Sequence, residues 1–269
     1  MHLDTLLDSV KQQTKIKDGS IILSVAGSWT QGRTLYGGIS ASLVYQAMRE
    51  AVDNKKVMRS LNTHFIGPIE ADCEFSITVE VLREGKNVTQ VVGRLIQDNK
   101  VAVMSQASFG LERQSNVHIS NEIQHEMDYP QKPNLIPHSP KVTPNFLAYF
   151  ELTQTKGGWP FTENKNTVLH GWMRFKKQPN DFSDAHLVAL IDIWPPTVLQ
   201  MLREPAMAST MSWNLDFIHP HQKTSGSDWF AYQAQTRQSA DGYSNTEANI
   251  WDKHGTLVAI SRQVVAVFA

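Results

Sequence analysis

Apolar positions along the chain follow two alternating rhythms. The runs "GGISASLVYQAMREAV" from Gly37 and "AHLVALIDIWPPTVLQML" from Ala185 are apolar over several turns, as a buried helix is. After each come segments of period two. In the first half "FSITVEVL" alternates with β-branched residues, "EGKN" and "QDNK" supply hairpin turns, and "VAVMSQASF" closes the set. In the second half "DWFAYQAQT", "DKHG" and "LVAISRQVVAVF" play the same parts. The order helix, strand, strand, strand therefore occurs twice, and the text repeats with it. "SLNTHFIGP" at Ser60–Pro68 returns as "SWNLDFIHP" at Ser212–Pro220, identical at five of nine positions with an offset of 152. "NKVAVMSQ" and "GTLVAISRQ" end on Gln106 and Gln263, offset by 157. This predicts that Asn62 matches Asn214 and Gln106 matches Gln263. Between the halves "NEIQHEMDYPQKPNLIPHSPKVTP" has no apolar period and reads as a surface linker. Each half is one helix against a curved antiparallel sheet, an α+β unit too small to cover both sheet faces alone, so the two should pack as one body.

Composition removes several classes of function. The chain has 269 residues, 41% hydrophobic and 19% charged, with a formal net charge of -1. That balance suits a packed core and provides no basic field to hold a nucleic-acid backbone. Cys73 is the single cysteine, which excludes an intrachain disulfide or a CxxC pair and fits a reducing compartment. "MHLDTLLDSVKQQTK" carries charges where a secretory leader needs an apolar stretch, and no run is long enough for a membrane span. A cytoplasmic location is the expectation. A sheet made of two half-repeats leaves edge strands and an apolar face to cover, so self-association is expected, a homodimer by default.

The run "RTLYGGISASLVYQA", then "RSLNTHFIGP", then the hairpin "LREGKNVTQVVGRLIQDNKVAVMSQASF" resembles the first half of the type II acyl-CoA thioesterases, which are double hotdog proteins. The second half resembles theirs as well. The likeness spans Gly27–Glu112 and Asp184–Ala269. It implies an N-terminal hotdog over residues 1–112, a linker over 113–145, a C-terminal hotdog over 146–269, and hydrolysis of an acyl-CoA substrate. In that family an Asp, a Thr and a Gln hold the attacking water. Counting from Pro220, from "GTLVAISRQ" and from "LVALIDIWPP" carries these onto Thr210, Gln263 and Asp192. The resemblance implies no cofactor.

Taken alone, the three residues also make chemical sense. Asp192 lies in an apolar turn three residues before Pro195–Pro196, where partial desolvation disfavours its charge and makes it a better base near neutrality. Thr210 and Gln263 add donors and acceptors without competing charge and can hold one water in line with a carbonyl. The plainer reading of Asp192 is a cap for a helix restarted at the prolines. Gly37 and Gly38 open a helix N-terminus to a substrate oxygen that becomes negative, or simply form a tight turn. Two rivals stand beside hydrolysis: a hotdog hydratase using Asp181 and His186, and a non-catalytic acyl-binding module. His219 and His221 flank Pro220 without a third ligand nearby, so no metal is expected.

Overall fold

A computed structural model describes residues 2–14, 20–134, 143–220, 222 and 224–269. Helix α1 (Leu3–Thr14) precedes strand β1 (Ile21–Ser24), the two-residue strands β2 (Thr30–Gln31) and β3 (Thr34–Leu35), and helix α2 (Gly37–Glu50). Four strands follow α2: β4 (Val57–Phe65), β5 (Glu74–Glu84), β6 (Val88–Gln97) and β7 (Lys100–Gly110). The second half brings β8 (Phe150–Lys156), β9 (Val168–Phe175) and helix α3 (Asp184–Ile191). It then runs through β10 (Met207–Phe217), β11 (Phe230–Ala240), β12 (Tyr243–Trp251) and β13 (Leu257–Phe268). Helices α2 and α3 are thus each followed by four strands rather than three, and further strands enter each half ahead of its helix, β1 to β3 in the first and β8 and β9 in the second.

Apart from the β2–β3 pair, the strands form one antiparallel sheet in the order β1-β5-β6-β7-β4-β10-β13-β12-β11-β9-β8. The two halves meet at β4 and β10, where Asn62 stands opposite Asn214 and Asn214 Nδ2 donates to Asn62 Oδ1 at 2.8 Å. Leu61 faces Leu215 on one side and Thr63 faces Trp213 on the other, so the pairing is symmetric about the asparagines. This is the double hotdog: two helix-and-sheet repeats joined into one curved sheet. The hairpin residues Asp98–Asn99 and Asp241–Gly242 all have positive φ, the backbone that two-residue turns between twisted strands require.

The register corrects one sequence expectation. Gln106 lies opposite Asn62, but the residue opposite Asn214 is Arg262, and Gln263 lies opposite Trp213. Gln106 therefore matches Arg262, and both are exposed. The mate of Gln263 is the buried Ala107, which stands opposite Leu61. Strand side chains alternate faces, so one position of displacement sends the two glutamines to opposite sides of the sheet.

Helix α2 is buried from Gly38 to Met48, as its nearly uninterrupted apolar text demands, and packs beside α3 on the concave face. Helix α1 is amphipathic, burying Leu3, Leu6, Leu7 and Val10. The periodicity reading gave it no place. On the outer face Trp172, Trp229 and Trp251 form a second apolar cluster with Met127 from the connecting segment. That segment is fixed by polar contacts: Trp251 Nε1 donates to the Ile123 carbonyl at 2.9 Å, and Asn134 bonds both backbone groups of Gln154 on the edge strand β8. It crosses the outside of the second half and covers part of an edge that would otherwise be open to pairing.

Candidate functional site

Asp192 is the residue on which α3 ends. The prolines at 195 and 196 cannot continue the helix, and the chain restarts as a 3-10 turn at Thr197–Met201 whose N-cap, Pro196, has no side-chain cap. The Asp192 carboxylate turns away from this restart. Its Oδ1 accepts from Gln263 Nε2 at 2.8 Å, and the carboxylate also accepts the backbone N–H of Gly38 in the first turn of α2. The N-cap position of α2 is Tyr36, which offers no side-chain bond to that turn. Asp192 is therefore a cap, but for the first half's helix.

This contact explains the Gly-Gly pair. A Cβ on Gly37 would lie 2.8 Å from Asp192 Oδ2, and one on Gly38 would lie 2.9 Å from the Ala189 carbonyl oxygen and 3.0 Å from Asp192 Cβ. Neither glycine has a positive φ, so a tight turn is not the reason for them. They are glycine because α3 comes close enough for its terminal carboxylate to reach the amides of α2. Gly38 thus donates to Asp192, and an oxyanion role for that amide would require it to leave the carboxylate.

Burial and hydrogen bonding pull on Asp192 in opposite directions. Loss of solvation disfavours its charge and pushes its pKa up to about 7, against the lowering effect of the Gln263 and Gly38 donors. Two aromatic residues that the sequence reading passed over help to enclose it. Tyr36, buried, donates from its hydroxyl to the Ala189 carbonyl at 3.1 Å, and Tyr232 stacks on Trp194 at 5.7 Å. Both phenols are pushed well up, first by burial and then by the negative charge of Asp192. Tyr36 stands immediately before the Gly-Gly pair and was open to notice there; Tyr232 sits in an ordinary strand pattern that gives no signal.

Thr210 reaches the same face through an irregularity. It pairs with Val265, while Ser212 pairs with Val264, so Met211 is an extra residue in β10. Such a bulge resets the alternation. Thr210 therefore shares the concave face with Trp213 and Gln263, one step along the strand from the glutamine. It is partly buried and makes no side-chain hydrogen bond among the described residues. Asp192 and Gln263 are in direct contact, and Thr210 stands beside them without touching either through a hydrogen bond.

The other marked residues have structural partners. Both ring nitrogens of His186 are engaged: Nε2 lies 2.8 Å from Asp4 Oδ1, and Nδ1 closes a capping box with Ser183. This ties α1 to α3 and removes the histidine that a hydratase reading needs. His219 Nε2 donates to the Met58 carbonyl at 2.9 Å, and His221 lies outside the described residues. Among the described residues no group of three His, Cys, Asp or Glu is placed to hold a metal ion.

Solved structures of the same fold span the chain. A conserved protein of unknown function with a hot dog fold from Alicyclobacillus acidocaldarius is 20% identical, with 98% of each chain covered and a TM-score of 0.81. A putative thioesterase II from Thermobifida fusca is 18% identical, with 92% of each chain covered and a TM-score of 0.76. The tesB protein of Mycobacterium avium subs paratuberculosis is 16% identical over the whole of both chains, also at 0.76. No curated protein gives a significant match. The model of the acyl-CoA thioesterase N-terminal domain matches residues 25–110, and that of the acyl-CoA thioesterase C-terminal domain matches 126–267, which takes in part of the segment read above as linker. With both domain models matched in order, the chain belongs to the acyl-CoA thioesterase family.

Proposed function

We propose that this protein hydrolyses an acyl-CoA thioester to the free acid and CoA, with water as the nucleophile. The observation that carries this is the Asp192 carboxylate, desolvated to a proton affinity near neutrality and held in place by the Gln263 amide. A carboxylate of that affinity is half ionised near pH 7 and takes a proton from water far better than an ordinary Asp. The water lies among Asp192, Gln263 and Thr210. Its oxygen attacks the thioester carbon as its proton passes to Asp192, and the tetrahedral intermediate collapses with cleavage of the C–S bond, the proton returning to the departing thiolate. The α2 N-terminus acts through Asp192, since its positive end favours the ionised base.

Release of free thiol from acyl-CoAs of graded length tests the activity, and Asp192→Asn tests the base. Asn keeps the shape and caps a helix about as well as Asp, so stability should hold while turnover falls by about 10² to 10⁴. An Asp192→Asn protein that turns over at the original rate would end the catalytic reading of this residue.

A further inference from the structure

On the side of β13 away from β10, strand β12 places Thr246 directly opposite Gln263 and Ser244 directly opposite Val265. Val265 is in turn opposite Thr210 and Gln263 opposite Trp213, so these six residues form a block around β13 on the concave face. Ser244 is fully buried and Thr246 is 7% exposed. Among the described residues neither hydroxyl has a hydrogen-bond partner.

The donors beside them are already engaged. The Gln263 amide nitrogen donates to Asp192, and the Trp213 indole donates to Ser261 Oγ at 2.9 Å. Thr236, directly across from Thr246 on β11, bonds the hydroxyl of Thr197. Buried hydroxyls are nearly always paired in folded proteins, and two unpaired ones on adjacent same-face positions beside a reacting site demand a reason. Successive same-face residues on a strand are about 7 Å apart, so the pair forms a short polar track beginning at Gln263. An alkyl chain lying there would leave both hydroxyls unpaired.

We propose that Ser244 and Thr246 form a hydrogen-bonding subsite for the acyl-CoA on the β12 flank of Gln263, taking an oxygen or amide of the substrate close to the thioester. The proposal rests on the thioesterase reading. Water is held on the Thr210 flank and the substrate's polar group on the other, with the reacting carbon above β13 between them. The group has two possible sources: an oxygen substituent on the acyl chain, or an amide of the pantetheine arm.

Butyryl-CoA and 3-hydroxybutyryl-CoA, compared on the wild-type chain, Thr246→Val, Ser244→Ala and Thr246→Ser, separate these sources. If the acyl oxygen occupies the subsite, the ratio of kcat/KM for the hydroxylated over the plain substrate falls about tenfold in Thr246→Val, the loss of one hydrogen bond, and Thr246→Ser restores it. If the pantetheine amide occupies it, Thr246→Val raises KM for both substrates by a similar factor with kcat retained. A fall in kcat shared by both substrates at constant KM would overturn the proposal, since the hydroxyls would then serve the water. No change in Thr246→Val and Ser244→Ala would overturn it as well. Should Thr246→Val fail to fold by thermal melt, Ser244→Ala carries the same comparison. Absence of thiol release by the wild-type chain from any acyl-CoA is a different failure, and it removes the hydrolase reading itself.

Discussion

The two halves share one plan and differ where chemistry would occur. In the second half, Gln263 projects onto the concave face and holds Asp192. In the first half the matching position is Ala107, and the neighbouring Ser105 pairs its hydroxyl with Thr63 at 2.9 Å, leaving nothing polar to work with. Gln106 faces outward, near Gln90. At the far end of the helix pair Tyr45 donates to Asp184 Oδ2 at 3.3 Å, a tyrosine on α2 where the other end has a carboxylate. A repeated fold thus supplies two frames, and one residue of register decides which frame presents a glutamine to the helix-end carboxylate.

That contrast can be broken in graded steps. After Asp192→Asn itself, the largest effect is expected for Gln263→Leu, which removes the donor that orients Asp192 and lowers its proton affinity. Turnover should fall by about 10², and combining it with Asp192→Asn should add little, because both act on one water. Thiol-release rates of the three variants check this. Next comes the pH dependence of stability. The Asp192 pKa is about 7 in the folded chain against 3.8 as its ordinary value, so the fold binds the proton more tightly than the unfolded chain does. Stability is then unaffected by this group below about pH 4 and declines as pH rises towards 7, by on the order of a few kcal/mol. Activity should rise over the upper part of that range as the base ionises. Urea titrations at pH 4, 5.5 and 7 should show the decline in the wild type and lose it in Asp192→Asn. A smaller effect is expected for Gly38→Ala, whose methyl would press on the Ala189 carbonyl and the Tyr36 ring and cost about 1–3 kcal/mol in thermal unfolding, separating α2 from Asp192. The smallest belongs to Gln106→Leu, which should leave turnover unchanged; a loss comparable to that of Gln263→Leu would refute the assignment of the two faces.

Much of this was legible in the sequence because periodicity and repetition depend on local patterning. The helix runs, the hairpin turn at Asp98–Asn99 and the match of Asn62 with Asn214 all follow from text; that the two asparagines also pair with each other at the seam does not. The glutamine match failed because a shared final Gln aligns in sequence without regard to β pairing, and the register at β4 and β10 sets the face independently. Asp192 was visible as an Asp in apolar surroundings and readable as a cap. That it caps α2, at Gly38 in the other half of the chain, depends on how the two helices pack. Thr210 needed the Met211 bulge to reach its face, and a bulge leaves no mark in composition. The Asp4–His186 tie and the unpaired hydroxyls of Ser244 and Thr246 are likewise properties of the assembled sheet.

The carboxylate of Asp192 draws on three separate pieces of chain: its own helix end, the last strand of the second half and the opening turn of the first half's helix. Neither repeat holds a finished centre. A chain cut in the segment between the halves would keep every named side chain, yet under the proposed function its turnover would report how fully the two fragments find one another, a direct readout of their affinity.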